Sequence, residues 1–220
     1  MIRTAAGLPG SQARDALGEL YQLYWPPLFA FLRRLGYESD RAEDLLQGFV
    51  ARMIEKNTFQ HFQKERGRFR SFLLASLKHF LSNEHAAADA LKPGGAQAAV
   101  PLEDAGMVRD DRTPDRVFEK RWALDLIQRA TQRLQREYQD ASKGPLFEQL
   151  KPYLSGDAEG VPYREAADAM GMNEGALKVA VHRFRQRFHE ALRAEVADTV
   201  THTEDVGDEI RYLLTAIQGQ

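Results

Sequence analysis

Basic side chains recur at helical spacing in the C-terminal third of the sequence. Lys178, His182 and Arg183 fall on one arc of a helix, where such groups can reach base edges in the major groove of DNA. Arg185 and Arg187 flank this arc and are placed to contact phosphates. The arc also carries Glu174, Val179 and Gln186. The pattern predicts a DNA-reading helix, and a solvated basic face on a helical hairpin is the alternative.

A tight turn must present this helix to DNA. Ala167, Gly171 and Leu177 have the spacing of a helix-turn-helix, with a small residue at the crossing and an apolar residue on the second helix. Gly171 can take a positive φ without a Cβ clash. Asn173 stands where its side chain can cap the second helix. These four positions predict a helix-turn-helix.

A second group of candidates mixes aromatic and basic residues over positions 59–85. Bases stack on aromatic rings and phosphates meet cations, so this composition suits a melted DNA strand. Phe69, Phe72 and Phe80 have the spacing of a buried stripe and are assigned to the core. The candidate DNA contacts are Arg66, Arg68, Lys78, His79 and Asn83.

An acidic, hydrogen-bonding stripe precedes this segment. Asp40, Glu43, Asp44 and Gln47 return to one side of a helix, for which Ser39 is the expected N-cap. Such a stripe can pair with an arginine-rich partner surface. The alternative is a solvated face near a helix N-terminus, where acids are favoured in any case.

The elements that position these groups are predicted to be helices, because apolar residues recur at helical intervals and no strand-like alternation is evident. The fold class is therefore all-α, with two small helical domains. We predict a first domain over 12–88, a linker over 89–114, a helix-turn-helix domain over 115–194 and an acidic extension over 195–220. The linker is predicted from its content of Ala, Gly, Pro and Asp, and the helical pattern is expected to fail from about residue 86.

Composition excludes several classes of protein. The chain has 220 residues, a net charge of −2 and no cysteine, which rules out disulfides, thiolate zinc sites and cysteine catalysis. Its six histidines lack metal-ligand spacing, and no nucleotide-binding or hydrolase motif is present. No apolar run is long enough to span a bilayer, and no signal core is evident. We expect a cytoplasmic protein that is not an enzyme and needs no cofactor or metal.

Three segments together resemble one family. SDRAEDLLQGFVARMIEK (39–56) resembles region 2.2 of sigma-70 proteins, ERGRFRSFLLASLKHFLSNEH (65–85) is similar to regions 2.3 and 2.4, and YREAADAMGMNEGALKVAVHRFRQRF (163–188) resembles region 4.2. Their order is that of the group 4, or extracytoplasmic-function, sigma factors. The resemblance implies binding to core RNA polymerase through its β′ and β subunits. It assigns the acidic stripe to polymerase, the 65–85 segment to the promoter −10 element and the helix-turn-helix to the −35 element.

The acidic extension goes beyond the two-domain plan of this family. Val206, Ile210, Leu213, Leu214 and Ile217 predict a short amphipathic helix. One hypothesis is that this tail docks on the protein's own domains and tempers DNA binding, so that deleting it strengthens promoter binding. The other is that the helix completes the second core. An anti-sigma factor remains open as a further partner.

Two other functions remain open beside a polymerase subunit that recognises promoter DNA. A stand-alone helix-turn-helix regulator would bind a duplex operator tightly without polymerase, with strong salt dependence. A helical interaction module would bind no nucleic acid.

Overall fold

The chain is all-α, as predicted. The computed structural model describes residues 10–56, 68–90, 113–154, 163–200 and 202–218. These residues contain no strand, only one isolated antiparallel bridge between Arg68 and Val200. The α-helices are α1 (Gly10–Arg34), α2 (Ser39–Glu55), α3 (Phe69–Ala90), α4 (Pro114–Asp140), α5 (Gly144–Leu150), α6 (Tyr163–Ala169), α7 (Glu174–Ala197) and α8 (Val206–Gln218). Short 3₁₀ helices cover Lys151–Leu154 and Thr203–Asp205.

The chain forms two compact units. The N-terminal unit combines Met1–Asp125 with Ala197–Gln220, and the helix-turn-helix unit is Leu126–Val196. This division differs from the sequence-based one, because the first part of α4 and the whole C-terminal segment belong to the N-terminal unit. Their apolar side chains are buried: Trp122 is 0% exposed and Leu213 is 0% exposed. The C-terminal helix therefore does not complete the second core.

The core of the N-terminal unit is built by apolar residues at helical intervals. Buried residues include Phe31 and Leu32 on α1, Leu46 and Phe49 on α2, and Leu77 on α3. Their burial fixes which faces of α2 and α3 remain on the surface.

The predicted N-cap of α2 is wrong. Ser39 is the first helical residue, and the N-cap is Glu38, whose side chain makes no capping hydrogen bond. That side chain instead lies 3.5 Å from Arg33, which also donates to the carbonyl of Tyr37 at 2.6 Å. The turn before α2 is closed by Gly36, which has a φ of +91°.

Helix α3 is longer than predicted. It runs to Ala90, past the point at which the apolar pattern fails. Alanine has the highest helix propensity, so the Ala86–Ala88 run continues a helix without needing an apolar face. Most of the predicted linker, residues 91–112, lies outside the described residues.

The helix-turn-helix unit has one aromatic core. Phe184 of α7 is fully buried and meets Tyr138 and Phe147 edge-on, with ring centroids 5.5 and 5.6 Å apart. Other buried members of this cluster are Leu134, Leu150, Tyr153, Ala167, Leu177 and Val181. Helix α5 leads directly into the 3₁₀ turn at Lys151–Leu154. This core fixes the rotation of α7 about its axis.

In the part of the chain that the structure describes, none of the helices combines the length and apolarity that a membrane span requires.

Candidate nucleic-acid interface

The turn between α6 and α7 has the predicted geometry. Gly171 has a φ of +65°, and the Met172 N–H donates to the carbonyl of Ala167 at 3.0 Å, which closes the end of α6. The Asn173 side-chain oxygen accepts the N–H of Ala176 at 2.7 Å, so the predicted cap is confirmed. Ala167 and Leu177 are buried, as a helix crossing requires.

Alanine at Gly171 should destabilise the helix-turn-helix unit by about 1–2 kcal/mol, because an L-residue is strained at positive φ. Urea unfolding followed by circular dichroism measures the change. Gly207→Ala is the control, since it lies within α8 with no positive φ and no atom near an added Cβ. Equal stability of Gly171→Ala and the wild type would show that the turn tolerates a side chain.

The predicted reading face of α7 points to solvent. Lys178, Val179, His182, Arg183 and Gln186 are exposed and Glu174 is half-buried, while Leu177, Val181 and Phe184 face the core. Lys178 lies 2.6 Å from Glu174, and hydrogen bonding to Lys178 lowers the pKa of Glu174. His182 and Arg183 have no hydrogen bond or ion pair with any described residue. Both side chains are therefore unpaired on the exposed face of α7, among the residues described.

The two flanking arginines already have partners in the unit. The Arg185 Nε donates to the carbonyl of Tyr153 at 2.8 Å. Arg187 lies 3.8 Å from Glu137, with both side chains about half exposed. Both side chains are therefore already oriented by contacts within their own unit.

A groove between α2 and α3 contains two of the five DNA contacts predicted for the −10 element. Its volume is about 370 Å³, within the range of pockets that hold small organic groups. His79 and Asn83 line it and are hydrogen-bonded at 3.2 Å. Phe80 is nearly buried, as predicted, but Phe72 is only half-buried and lines the groove, so its assignment to the core alone is wrong. We call this the α2–α3 groove; its walls are Phe49, Arg52, Met53, Lys56, Phe72, Ala75, Ser76, His79, Phe80 and Asn83.

Two cations of this groove were missed by the sequence reading. The Arg52 guanidinium lies 5.9 Å from the centre of the Phe80 ring and 3.9 Å from Glu84. Lys56 is exposed and has no ion-pair partner among the residues described. Neither cation is among the candidates predicted from the sequence, although their spacing, four residues apart, places them on neighbouring turns of one helix.

The other predicted −10 contacts are placed differently. Arg66 lies outside the described residues. Lys78 is exposed and lies 2.6 Å from Asp115 of α4. Arg68, with 38% of its side chain exposed, lies 2.9 Å from Glu209 of α8. The last two cations are therefore already paired with carboxylates from later segments of the chain.

The carboxylate of Glu209 also belongs to a buried cluster. Arg70 is 4% exposed, and its Nε donates to Glu209 at 2.6 Å while Glu119 lies 3.5 Å away. The ring of Tyr212 lies 3.8 Å from the same guanidinium, and that of Trp122 lies 5.2 Å away. Burial opposes the charge on Arg70, but Glu209 outweighs it and the pKa of Arg70 is raised. Burial and the hydrogen bond to Glu119 raise the pKa of Tyr212 to about 12.

The predicted acidic stripe lies on the open face of α2. Asp40, Glu43, Asp44 and Gln47 are all exposed, and none has a hydrogen bond or ion pair within the described ranges of the chain. Next to them on α1, Tyr21 is 42% exposed; burial and the charge of Glu43 raise its pKa. The stripe is thus a free anionic surface with an aromatic neighbour.

Among the described residues, no group of three or more histidine, aspartate and glutamate side chains is placed to hold a metal ion. Comparison of the chain with protein-family models, with curated proteins and with solved structures gives no match.

Proposed function

We propose that the protein is a sigma factor of the group 4 type, which binds core RNA polymerase and directs initiation at specific promoters. The observation that carries this proposal is that one unit holds both a free acidic stripe and an aromatic, basic groove. A protein that only binds duplex DNA needs neither. The helix-turn-helix unit adds a separate surface for duplex DNA.

Each surface has a role in this function. The stripe at Asp40, Glu43, Asp44 and Gln47 would face an arginine-rich surface on the β′ subunit. The α2–α3 groove would take an unpaired base, since Phe72 offers a ring for stacking and His79 and Asn83 offer hydrogen bonds. The exposed face of α7 would read the −35 element in the major groove.

Run-off transcription with core polymerase tests the proposal, using a template library with randomised −35 and −10 segments. The chain should enrich transcripts from one promoter class only when core enzyme is present. A stand-alone regulator would instead select a duplex site without polymerase and add no specific start site. A helical interaction module would select no DNA under either condition.

Arg183→Ala should weaken use of the selected promoter by about 5- to 150-fold, because one good base contact is worth about 1–3 kcal/mol. The control is Arg193→Ala, an exposed arginine ten residues further along α7 and about 15 Å away. Transcript yields at matched salt measure both. Equal losses for the two variants would indicate a general charge effect rather than base recognition.

A further inference from the structure

Glu209 is the one charged side chain of α8 that is buried. It is 0% exposed, whereas its neighbours Asp208 and Arg211 are exposed and pair with each other. Val206, Ile210 and Leu213 on the same face of α8 are also buried, so the helix is held by apolar contacts as well. The bridge from Arg68 to Val200 adds a backbone contact. These contacts keep the Glu209 carboxylate at the start of α3.

That carboxylate is shared by two arginines. One oxygen lies 2.6 Å from the Arg70 Nε and the other lies 2.9 Å from the Arg68 Nε. Arg68 also lies 5.5 Å from the centre of the Tyr212 ring, so α8 contacts its guanidinium through two side chains. By contrast, Lys78 and Asp115 are both about half exposed, and a pair in that setting is easily separated.

We infer that Glu209 is a positioning residue that withholds Arg68 from nucleic acid and so sets how many cations of the N-terminal unit meet a DNA strand. The inference rests on the proposed function, because it concerns the strand-binding surface of that unit. Lys78 exchanges its exposed partner for a phosphate. Arg68 keeps its buried partner and contributes no phosphate contact, although sequence assigns it the same role.

The test compares Arg68→Gln with Lys78→Gln in the full chain, binding a fluorescent dT20 oligonucleotide over a range of salt concentrations. Each phosphate contact contributes about 0.7 to the slope of log K against log salt for single strands. Lys78→Gln should reduce the slope by about 0.7, whereas Arg68→Gln should leave the slope unchanged and the affinity within about twofold. Both replacements leave the Arg70–Glu209 pair intact. Equal reductions for the two variants would overturn the inference and leave the proposed function standing.

Glu209→Gln should have the opposite effect, a gain of one phosphate contact. Releasing Arg68 should steepen the salt slope by about 0.7 and tighten binding, and the gain should vanish when Arg68 is already glutamine. A gain that persists without Arg68 would refute the positioning role. If Glu209→Gln unfolds the protein, the comparison of the salt slopes of Arg68→Gln and Lys78→Gln remains the test of the inference.

A measurement that needs no DNA distinguishes a failure of this inference from a failure of the proposed function. In ¹⁵N NMR of the full chain, the Nε–H of Arg68 should exchange slowly with water, and it should become fast in Glu209→Gln. Fast exchange in the wild type would refute the inference, whatever the dT20-binding measurements show. Slow exchange combined with no dT20 binding by any variant would count against the proposed strand-binding function instead.

Discussion

Glu209→Ala should lower the free energy of unfolding of the N-terminal unit by about 3–5 kcal/mol, because removing one partner of a buried ion pair leaves the other charge uncompensated. Arg70 is 4% exposed, and among the described carboxylates it would keep Glu119 alone, at 3.5 Å. Tryptophan fluorescence during urea unfolding measures this loss selectively. The chain has two tryptophans, Trp25 and Trp122, and both belong to the N-terminal unit.

Asp208→Ala is the matched control for this prediction. Its side chain is 58% exposed and pairs with the exposed Arg211, so its loss should cost at most about 1 kcal/mol. The double variant Arg70→Met with Glu209→Leu should recover part of the stability, since apolar residues can replace a buried pair. Equal effects of Glu209→Ala and Asp208→Ala would mean that the cluster does not hold α8 in place.

Asp44→Arg should weaken assembly with core polymerase by about 30- to 5000-fold, as expected when a charge pair worth about 2–5 kcal/mol at an interface is lost. Asp44 lies in the middle of the acidic stripe, exposed and without an internal partner among the described residues. The replacement breaks no described contact, so the fold should survive. Titration of core enzyme in the run-off assay measures the loss, and duplex binding by the helix-turn-helix unit should not change.

Asp140→Arg makes the same change in net charge elsewhere. Asp140 is exposed at the C-terminal end of α4, where a cation is favoured by the helix dipole. The Asp140→Arg replacement should change the affinity for core polymerase by no more than about twofold, because interactions between exposed charges are screened beyond a Debye length of about 8 Å. Wild-type transcription by Asp44→Arg would contradict the polymerase contact and favour a stand-alone regulator.

The features that sequence predicted well are local ones. The turn at Gly171, the cap at Asn173 and the buried side of α7 depend on residues a few positions apart, so spacing alone determines them. The exposure of the acidic stripe follows equally from the apolar face of α2. The predicted cap at Ser39 is wrong because Ser39 is already the first helical residue and Glu38 is the N-cap.

The features that sequence missed depend on residues far apart in the chain. Arg70 and Glu209 are 139 positions apart, and neither has a local pattern that identifies its partner. From the sequence alone, Arg68 therefore cannot be distinguished from an unpaired cation. The hypothesis that the acidic tail docks on the protein's own domains rested on the charge of the tail, which does not distinguish an exposed acid such as Asp208 from a buried one such as Glu209.

The division of the N-terminal unit between the two ends of the chain has a consequence for synthesis. The ribosome completes Leu126–Val196, a continuous stretch, before it adds Ala197–Gln220. At about 5–20 residues per second, synthesis of the Ala197–Gln220 segment takes about one to five seconds. During that interval the first-made part of the protein exposes Arg70 and the apolar surface that α8 will cover. The N-terminal unit is thus begun before the helix-turn-helix unit and completed after it, and a chaperone that shields nascent chains can bind its exposed surface in that interval.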